Sequence, residues 1–419
     1  MSKTMSQKIL AKAAGQPSVN VGDIFWVNID KAMMDDVLGP RIEIDDRLKE
    51  LGAKVWDPGR VVIISDHYTP PANEKQANVV KFTRDWAKEN NCKHYYEFSG
   101  PCHQVMVEKG HVLPGEVIAG TDSHSCTYGA LASFGTGIGS TEMAGVLATG
   151  QTWMRIPSTV KVEWNNSLAP LVMAKDISLR TIKEIGHSGA TYQTIEYCGS
   201  AVSNLNMDER LCLANMAVEA GAKAGLIGYD SVTAEYLAAL GVTGDFSWVN
   251  SDPGAEYSSV YTFDSSGLVP QVSCPYEVDN VIDLAEMEPL AIDQAYIGSC
   301  TGGRYTDLFC AAQLLKGKKI AKGLRLLISP ASREIYNRCL KDGILDIFAD
   351  AGAVILASGC GACLGIHSGA LADNEICIST TNRNFLGRMG SKKSKVYLAS
   401  SVSAAAAAIT GKIVDPRTI

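Results

Sequence analysis

The chain has 419 residues, past the ~250–300 at which one hydrophobic core stops growing, so two or three domains are expected. A composition of 46% hydrophobic and 20% charged residues is that of an ordinary globular protein, and no apolar run approaches the ~20 residues that span a bilayer. The net charge of −7 argues against a nucleic-acid backbone as the main partner, because that role needs a dense basic surface.

The start, Met1-Ser2-Lys3-Thr4-Met5-Ser6-Gln7-Lys8, has charges but no apolar signal core behind them, which predicts a cytoplasmic protein. Val61-Val62-Ile63-Ile64 reads as a buried strand, followed by a helix over 75–90. Glycines gather in tight turns such as Gly135-Thr136-Gly137-Ile138-Gly139. A helical stretch is expected to close at Ile156-Pro157, and a strand over 159–164 opens a new unit. Residues 251–288, rich in Asp, Ser, Pro and Gly, suit a linker or an irregular edge. Beyond it come short strands at 295–297, 326–328 and 353–356, with a helix over 332–342. The alanine run 404–408 has strong helix propensity and meets a natural stop in Gly411. This alternation predicts an α/β fold with mostly parallel sheets, in three units at 1–157, 158–275 and 276–419. Ligands are expected beyond the carboxyl ends of the strands.

Twelve cysteines are too many to ignore. In a reducing compartment most are expected to be small buried hydrophobes, and Cys92, Cys198, Cys212, Cys274, Cys310, Cys339 and Cys377 take that reading. Cys300, in Gly298-Ser299-Cys300-Thr301-Gly302-Gly303-Arg304, and the pair Cys360-Gly361-Ala362-Cys363 each follow a strand. A structural zinc wants four ligands and no second C-x-x-C exists, while a redox pair leaves Cys300 without a role. Three thiolates suit a [4Fe–4S] cluster with one iron not held by cysteine, open to act as a Lewis acid.

With its other motifs the chain resembles the aconitase family. Cys300 followed by Cys360-x-x-Cys363 is similar to that family's cluster pattern, and Asn382-Arg383-Asn384-Phe385-Leu386-Gly387-Arg388 matches its N-R-N-F-x-G-R segment. Ser65-Asp66-His67, Cys102-His103-Gln104, Gly120-Thr121-Asp122-Ser123-His124 and Asn215-Met216-x-x-Glu219 agree in the same order. Cys126-Thr127-Tyr128-Gly129-Ala130 and Ser379-Thr380-Thr381 fit the isopropylmalate branch best. Three positions depart from the usual pattern: Gly302 stands where Asn is common, Ser125 where Thr is, and Gly361-Ala362 where Gly-Pro is.

The resemblance implies a hydro-lyase that removes and returns water across two carbons flanked by carboxylates. Asp66 and His67 would protonate the departing hydroxyl, and Asp122 with His124, together with His103, would form a second acid–base group. Glu219 and Asn215 resemble family residues near the cluster, while Ser123, Arg383 and Arg388 would bind substrate, the guanidiniums gripping carboxylates bidentately. His94, His111, His187 and His367 are read as structural. The three-domain aconitase-like architecture would lack the fourth, swivelling domain. A separate small subunit would then supply the serine base and a further substrate arginine. 3-Isopropylmalate is the first substrate expectation, with 2,3-dimethylmalate, homocitrate or homoaconitate behind it. An iron sensor that binds RNA without its cluster is the rival from another class, and the acidic charge balance weighs against it.

Overall fold

The computed structural model describes residues 2–419, with all their side chains except that of Ile42. The buried aliphatic run Val61–Ser65 lies inside a five-stranded, all-parallel sheet ordered His94–Glu97, Val61–Ser65, Lys31–Asp35, Val117–Gly120, Phe134–Gly137. A strand buried on both faces needs such a continuous apolar run. The helix expected at 75–90 spans Glu74–Glu89, started by the Asn73 side chain, which accepts the Gln76 N–H at 3.1 Å.

A second parallel sheet of four strands follows, ordered Ala224–Ile227, Thr194–Cys198, Thr159–Asn165, Ser259–Asp264. The third has seven strands, with Gln294–Ile297 between Ile376–Ser379 and Arg325–Ile328. The alanine run forms the middle of the buried helix Ser401–Thr410, which closes at Gly411 with φ 72°. Apolar contacts run without a break from Val160, Trp164 and Ile195 of the second sheet to Tyr296, Leu327 and Leu398 of the third.

Two local expectations change. The stretch before Ile156-Pro157 is not helical to its end: the helix Ser140–Thr149 stops at Gly150, φ 74°, and Gln151–Arg155 is a strand paired antiparallel with Ile24–Asn28. Its alternation is the reason, with Thr152 and Met154 facing inward while Gln151, Trp153 and Arg155 face out. Residues 251–288 are more ordered than a linker. They supply the edge strand Ser259–Asp264 of the second sheet, and the antiparallel pair Gln271–Ser273 and Val281–Asp283 at the edge of the third, straddling position 275. Among the described residues no helix is long and apolar enough to cross a membrane.

Candidate active site

Strand ends of the first and third sheets meet at one cavity. Cys300 follows Gln294–Ile297 on the single turn Ser299–Gly302, the Cys360–Cys363 loop follows Val354–Ile355, and Asn382 to Arg388 follow Ile376–Ser379. All three cysteines, Asn382 and Arg388 line the cavity together with His67, His103, Asp122 and His124. Amide groups surround the sulfurs. Asn215 Nδ2 donates to Cys300 Sγ at 3.3 Å, and Asn382 reaches Cys300 Sγ at 3.8 Å and Cys363 Sγ at 3.9 Å. An Arg388 terminal nitrogen lies 3.6 Å from Cys363 Sγ, and Cys360 Sγ lies 3.8 Å from Asp66 Oδ2. Burial pushes the Cys300 thiol up to about 11 and Cys360 well above its ordinary value. Burial here favours the neutral thiol in the absence of a metal, and a bound metal would favour the thiolate. Cys102 also lines the cavity, its Sγ 3.7 Å from His103 Nε2. The other cysteines are likewise free.

The departure at Gly302 has a steric cause. A Cβ there would lie 2.3 Å from Thr380 Cβ, so an asparagine has no room. Thr380 is itself held in place, accepting the Gly298 N–H and donating to the Gly298 carbonyl, both at 2.9 Å. At Gly361 the crowding neighbour is the His367 ring, 2.1 Å from a Cβ placed there. His367 Nε2 donates to the His67 carbonyl at 2.8 Å, so this histidine holds the cysteine loop against the first sheet's rim. His111 bonds the Tyr96 hydroxyl at 2.7 Å and packs on His94, away from the cavity.

The acid–base residues form two networks of opposite make-up. His67 sits among carboxylates: its Nδ1 is 2.8 Å from Asp66 Oδ1, 3.1 Å from Asp36 Oδ1 and 3.9 Å from Asp35 Oδ1. Burial alone would lower its pKa, but the Asp66 charge and the hydrogen bonds to Asp36 and Asp66 hold it well above 6.5. Nδ1 is engaged, which leaves Nε2 for the cavity. Asp122, in contrast, sits between histidines. Its Oδ1 is 2.9 Å from His103 Nε2 and 3.2 Å from His124 Nδ1, and it accepts the His124 backbone N–H at 2.8 Å. Burial favours its neutral form, yet the two imidazoles hold its pKa well below 3.8.

A third link joins the two rims to the second sheet. Glu219 accepts from His124 Nε2 at 2.8 Å and from Arg383 Nε at 2.8 Å, and an Arg383 terminal nitrogen donates to Ser123 Oγ at 3.1 Å. His124 and Arg383 keep Glu219 below its ordinary range although burial opposes them. Asn215 and Glu219 do not share a simple helical face. The helix Met207–Met216 tightens into a 3-10 turn at Ala217–Ala220, so Asn215 meets Cys300 while Glu219 meets His124. The sequence-identified site residues thus gather here, on the cavity wall or one hydrogen bond behind it, except Arg383, which reaches His124 through Glu219. Sequence reasoning missed Asp35 and Asp36; two adjacent acids ending the buried strand Lys31–Asp35 were the available signal. The cavity shares His67, Asp122, Leu364 and Arg388 with a cleft of about 590 Å³, which Val37, Leu38 and Ile138 also line.

Relatives of this chain are close. It is 49% identical to the 3-isopropylmalate dehydratase large subunit 1 of Methanopyrus kandleri over 419 residues, covering 100% of this chain and 99% of that protein. It is 44% identical to the 3-isopropylmalate dehydratase large subunit of Aquifex aeolicus, covering 99% and 97% of the two chains. Among solved structures, aconitase X of Thermococcus kodakaraensis in its holo form has a similar fold, with a TM-score of 0.51 at 13% identity over 85% of this chain and 84% of that one. The aconitase (aconitate hydratase) family matches residues 7–411, and the chain belongs to that family.

Proposed function

We propose that this chain is the cluster-bearing subunit of a hydro-lyase that interconverts 3-isopropylmalate and 2-isopropylmalate through isopropylmaleate. Family membership implies a [4Fe–4S] cluster, and the site suits one held by Cys300, Cys360 and Cys363, with one iron left free of cysteine. The single observation that carries the reading is this shared cavity, where three thiols face histidine–carboxylate pairs and an unspent arginine. When bound, the cluster supplies a Lewis acid for the substrate hydroxyl.

The chain's own groups do the rest. His67, protonated by its carboxylate surroundings, delivers a proton from Nε2 to the departing hydroxyl, and Asp66 and Asp36 keep the ring oriented as the charge leaves. Asp122 keeps His103 and His124 aligned on the opposite wall. Arg383 uses its Nε and one terminal N–H on Glu219 and Ser123, which leaves guanidinium N–H groups for a substrate carboxylate. Arg388 offers a second grip, since its buried Nε has no partner among the described residues. Val37, Leu38, Ile138 and Leu364 give the cleft an apolar side that suits a branched alkyl group.

The base for the carbon-bound proton comes from a partner. The relatives' designation as large subunits agrees with a small partner that brings the serine and a further arginine and closes the cleft against water. The domains 1–157, 158–275 and 276–419 would each bring one wall to that closure. The test is hydration of isopropylmaleate, dimethylmaleate and cis-homoaconitate by the reconstituted chain, with and without the small subunit. Activity only with the partner, and greatest on isopropylmaleate, is expected. Full activity from the chain alone would place the base among its 419 residues.

A further inference from the structure

Two arginines are completely buried, and the fold treats them differently. Arg210 donates to both oxygens of Asp230 at 2.7 and 2.6 Å and to the carbonyls of Leu205 and Ser203. Arg304 has one side-chain partner, Gln104 Oε1 at 2.9 Å, and both of its terminal nitrogens lack a hydrogen bond among the described residues. A guanidinium cannot shed its proton, so Arg304 carries a charge that no hydrogen-bonded carboxylate compensates. Asp307, three residues on, accepts the Arg304 backbone N–H at 3.1 Å and is pushed up to about 7 by burial.

A second cation has the same character. Lys175 is 3% exposed, and its Nζ contacts only neutral groups: the carbonyls of Thr381 at 2.7 Å and Thr380 at 3.4 Å, and Met216 Sδ at 3.4 Å. Thr301, next to Cys300, donates to that same Thr380 carbonyl at 2.7 Å. Arg304 follows Cys300 by four positions, just past the end of the same short turn Ser299–Gly302, and its Nε is tied to Gln104, the neighbour of His103. Two buried basic groups without anionic hydrogen-bond partners thus lie behind the Cys300 turn, Lys175 through the Thr380 carbonyl that Thr301 also bonds and Arg304 just past the turn's end. Burying an uncompensated charge is costly, so an anion is expected to face them.

We propose that Arg304 and Lys175 are built-in counter-charges for an anionic iron–sulfur cluster on Cys300, Cys360 and Cys363, acting as positioning residues that never touch substrate. A cluster held by three thiolates is net negative, and the charge around it sets its reduction potential. The inference rests on the cluster reading above.

The test uses the full chain, reconstituted with iron and sulfide in the absence of oxygen. Wild type, Arg304→Met, Arg304→Lys and Lys175→Met are compared by cluster midpoint potential and by melting temperature before and after loading. Arg304→Met is expected to hold the cluster at a more negative potential, because loss of a nearby cation disfavours the added electron, while Arg304→Lys stays close to wild type. The melting temperature of the cluster-free Arg304→Met chain should stay level or rise, and its gain on loading should shrink. Lys175→Met should move the potential in the same direction. An unchanged potential in Arg304→Met overturns the proposal. So does a variant that fails to fold, or one destabilised equally with and without the cluster, since either outcome marks a packing role. A wild-type chain that binds no iron overturns the cluster reading itself, and the inference with it.

Discussion

The first and third sheets both end in loops at the shared cavity, but they arm it with opposite chemistry. The first sheet's rim carries groups that hold and move protons: Asp36, Asp66, His67, Asp122 and His124, interlocked at 2.8–3.2 Å. The third sheet's rim carries soft sulfur, neutral amides and cations, namely Cys300, Cys360, Cys363, Asn382, Arg383 and Arg388. Within the first rim the contrast repeats, with one histidine among carboxylates and one carboxylate between histidines. The same two residue types therefore yield a cationic acid at His67 and a firmly anionic centre at Asp122. On the proposed reading neither rim is complete alone: polarising the hydroxyl would need the third sheet, and protonating it the first.

Breaking the third rim should have the largest effect. Cys300→Ser, Cys360→Ser or Cys363→Ser is expected to abolish cluster assembly, read from iron content and the absorption spectrum, while Cys92→Ser and Cys102→Ser retain it. Loss of the cluster in Cys102→Ser would make that cavity-lining thiol a fourth ligand. Breaking the first rim should leave the cluster intact and stop the chemistry: His67→Asn is expected to lower kcat by ~10²–10⁴-fold, the usual worth of a general acid, with an unchanged spectrum. Arg383, which spans the two rims, should matter less. Arg383→Lys is expected to cost ~1.5–3 kcal/mol in kcat/KM, because lysine loses the planar fork and cannot serve Glu219 and a carboxylate together.

The smallest expected effect is a shift with pH. His67 acts in its protonated form, so activity falls as pH rises through its raised pKa. Asp36→Asn removes one supporting carboxylate and should move that alkaline limb to lower pH, with little change on the acid side. Stability follows the same signs. The contribution of His67 is complete below its unfolded value near 6.5 and disappears as pH climbs through the folded one. The contribution of Asp122 is present above 3.8 and disappears as pH falls through its depressed value. A pH profile of kcat unmoved by Asp36→Asn would separate that carboxylate from the acid's tuning.

Much of this site was readable in the chain because its parts are local. Strand-end turns place Asp66-His67, Asp122-Ser123-His124 and Cys360-x-x-Cys363 in short segments whose residue types announce metal and proton chemistry. The strand at 61–65 and the alanine-rich helix were equally plain, since burial on every face demands unbroken apolar or small residues. The steric reason for Gly302 was not readable, for it lies in Thr380, which comes from a different strand end.

By itself, then, the sequence determined which residues make up the candidate site: the three cysteines, three of the histidines with their acids, and two arginines. Tertiary structure alone decided how they pair. Asp122 serves His103, 19 positions away, as well as its near neighbour His124, whose second nitrogen goes to Glu219 across 95 positions. His67 finds Asp36 from 31 positions away. Arg304 and Lys175 became buried cations without acidic partners only when three sheets closed around them. The physical reason is range. A hydrogen bond is made or lost within a few tenths of an ångström near 3 Å, and crossings of separate strand ends set that distance without leaving any spacing in the chain.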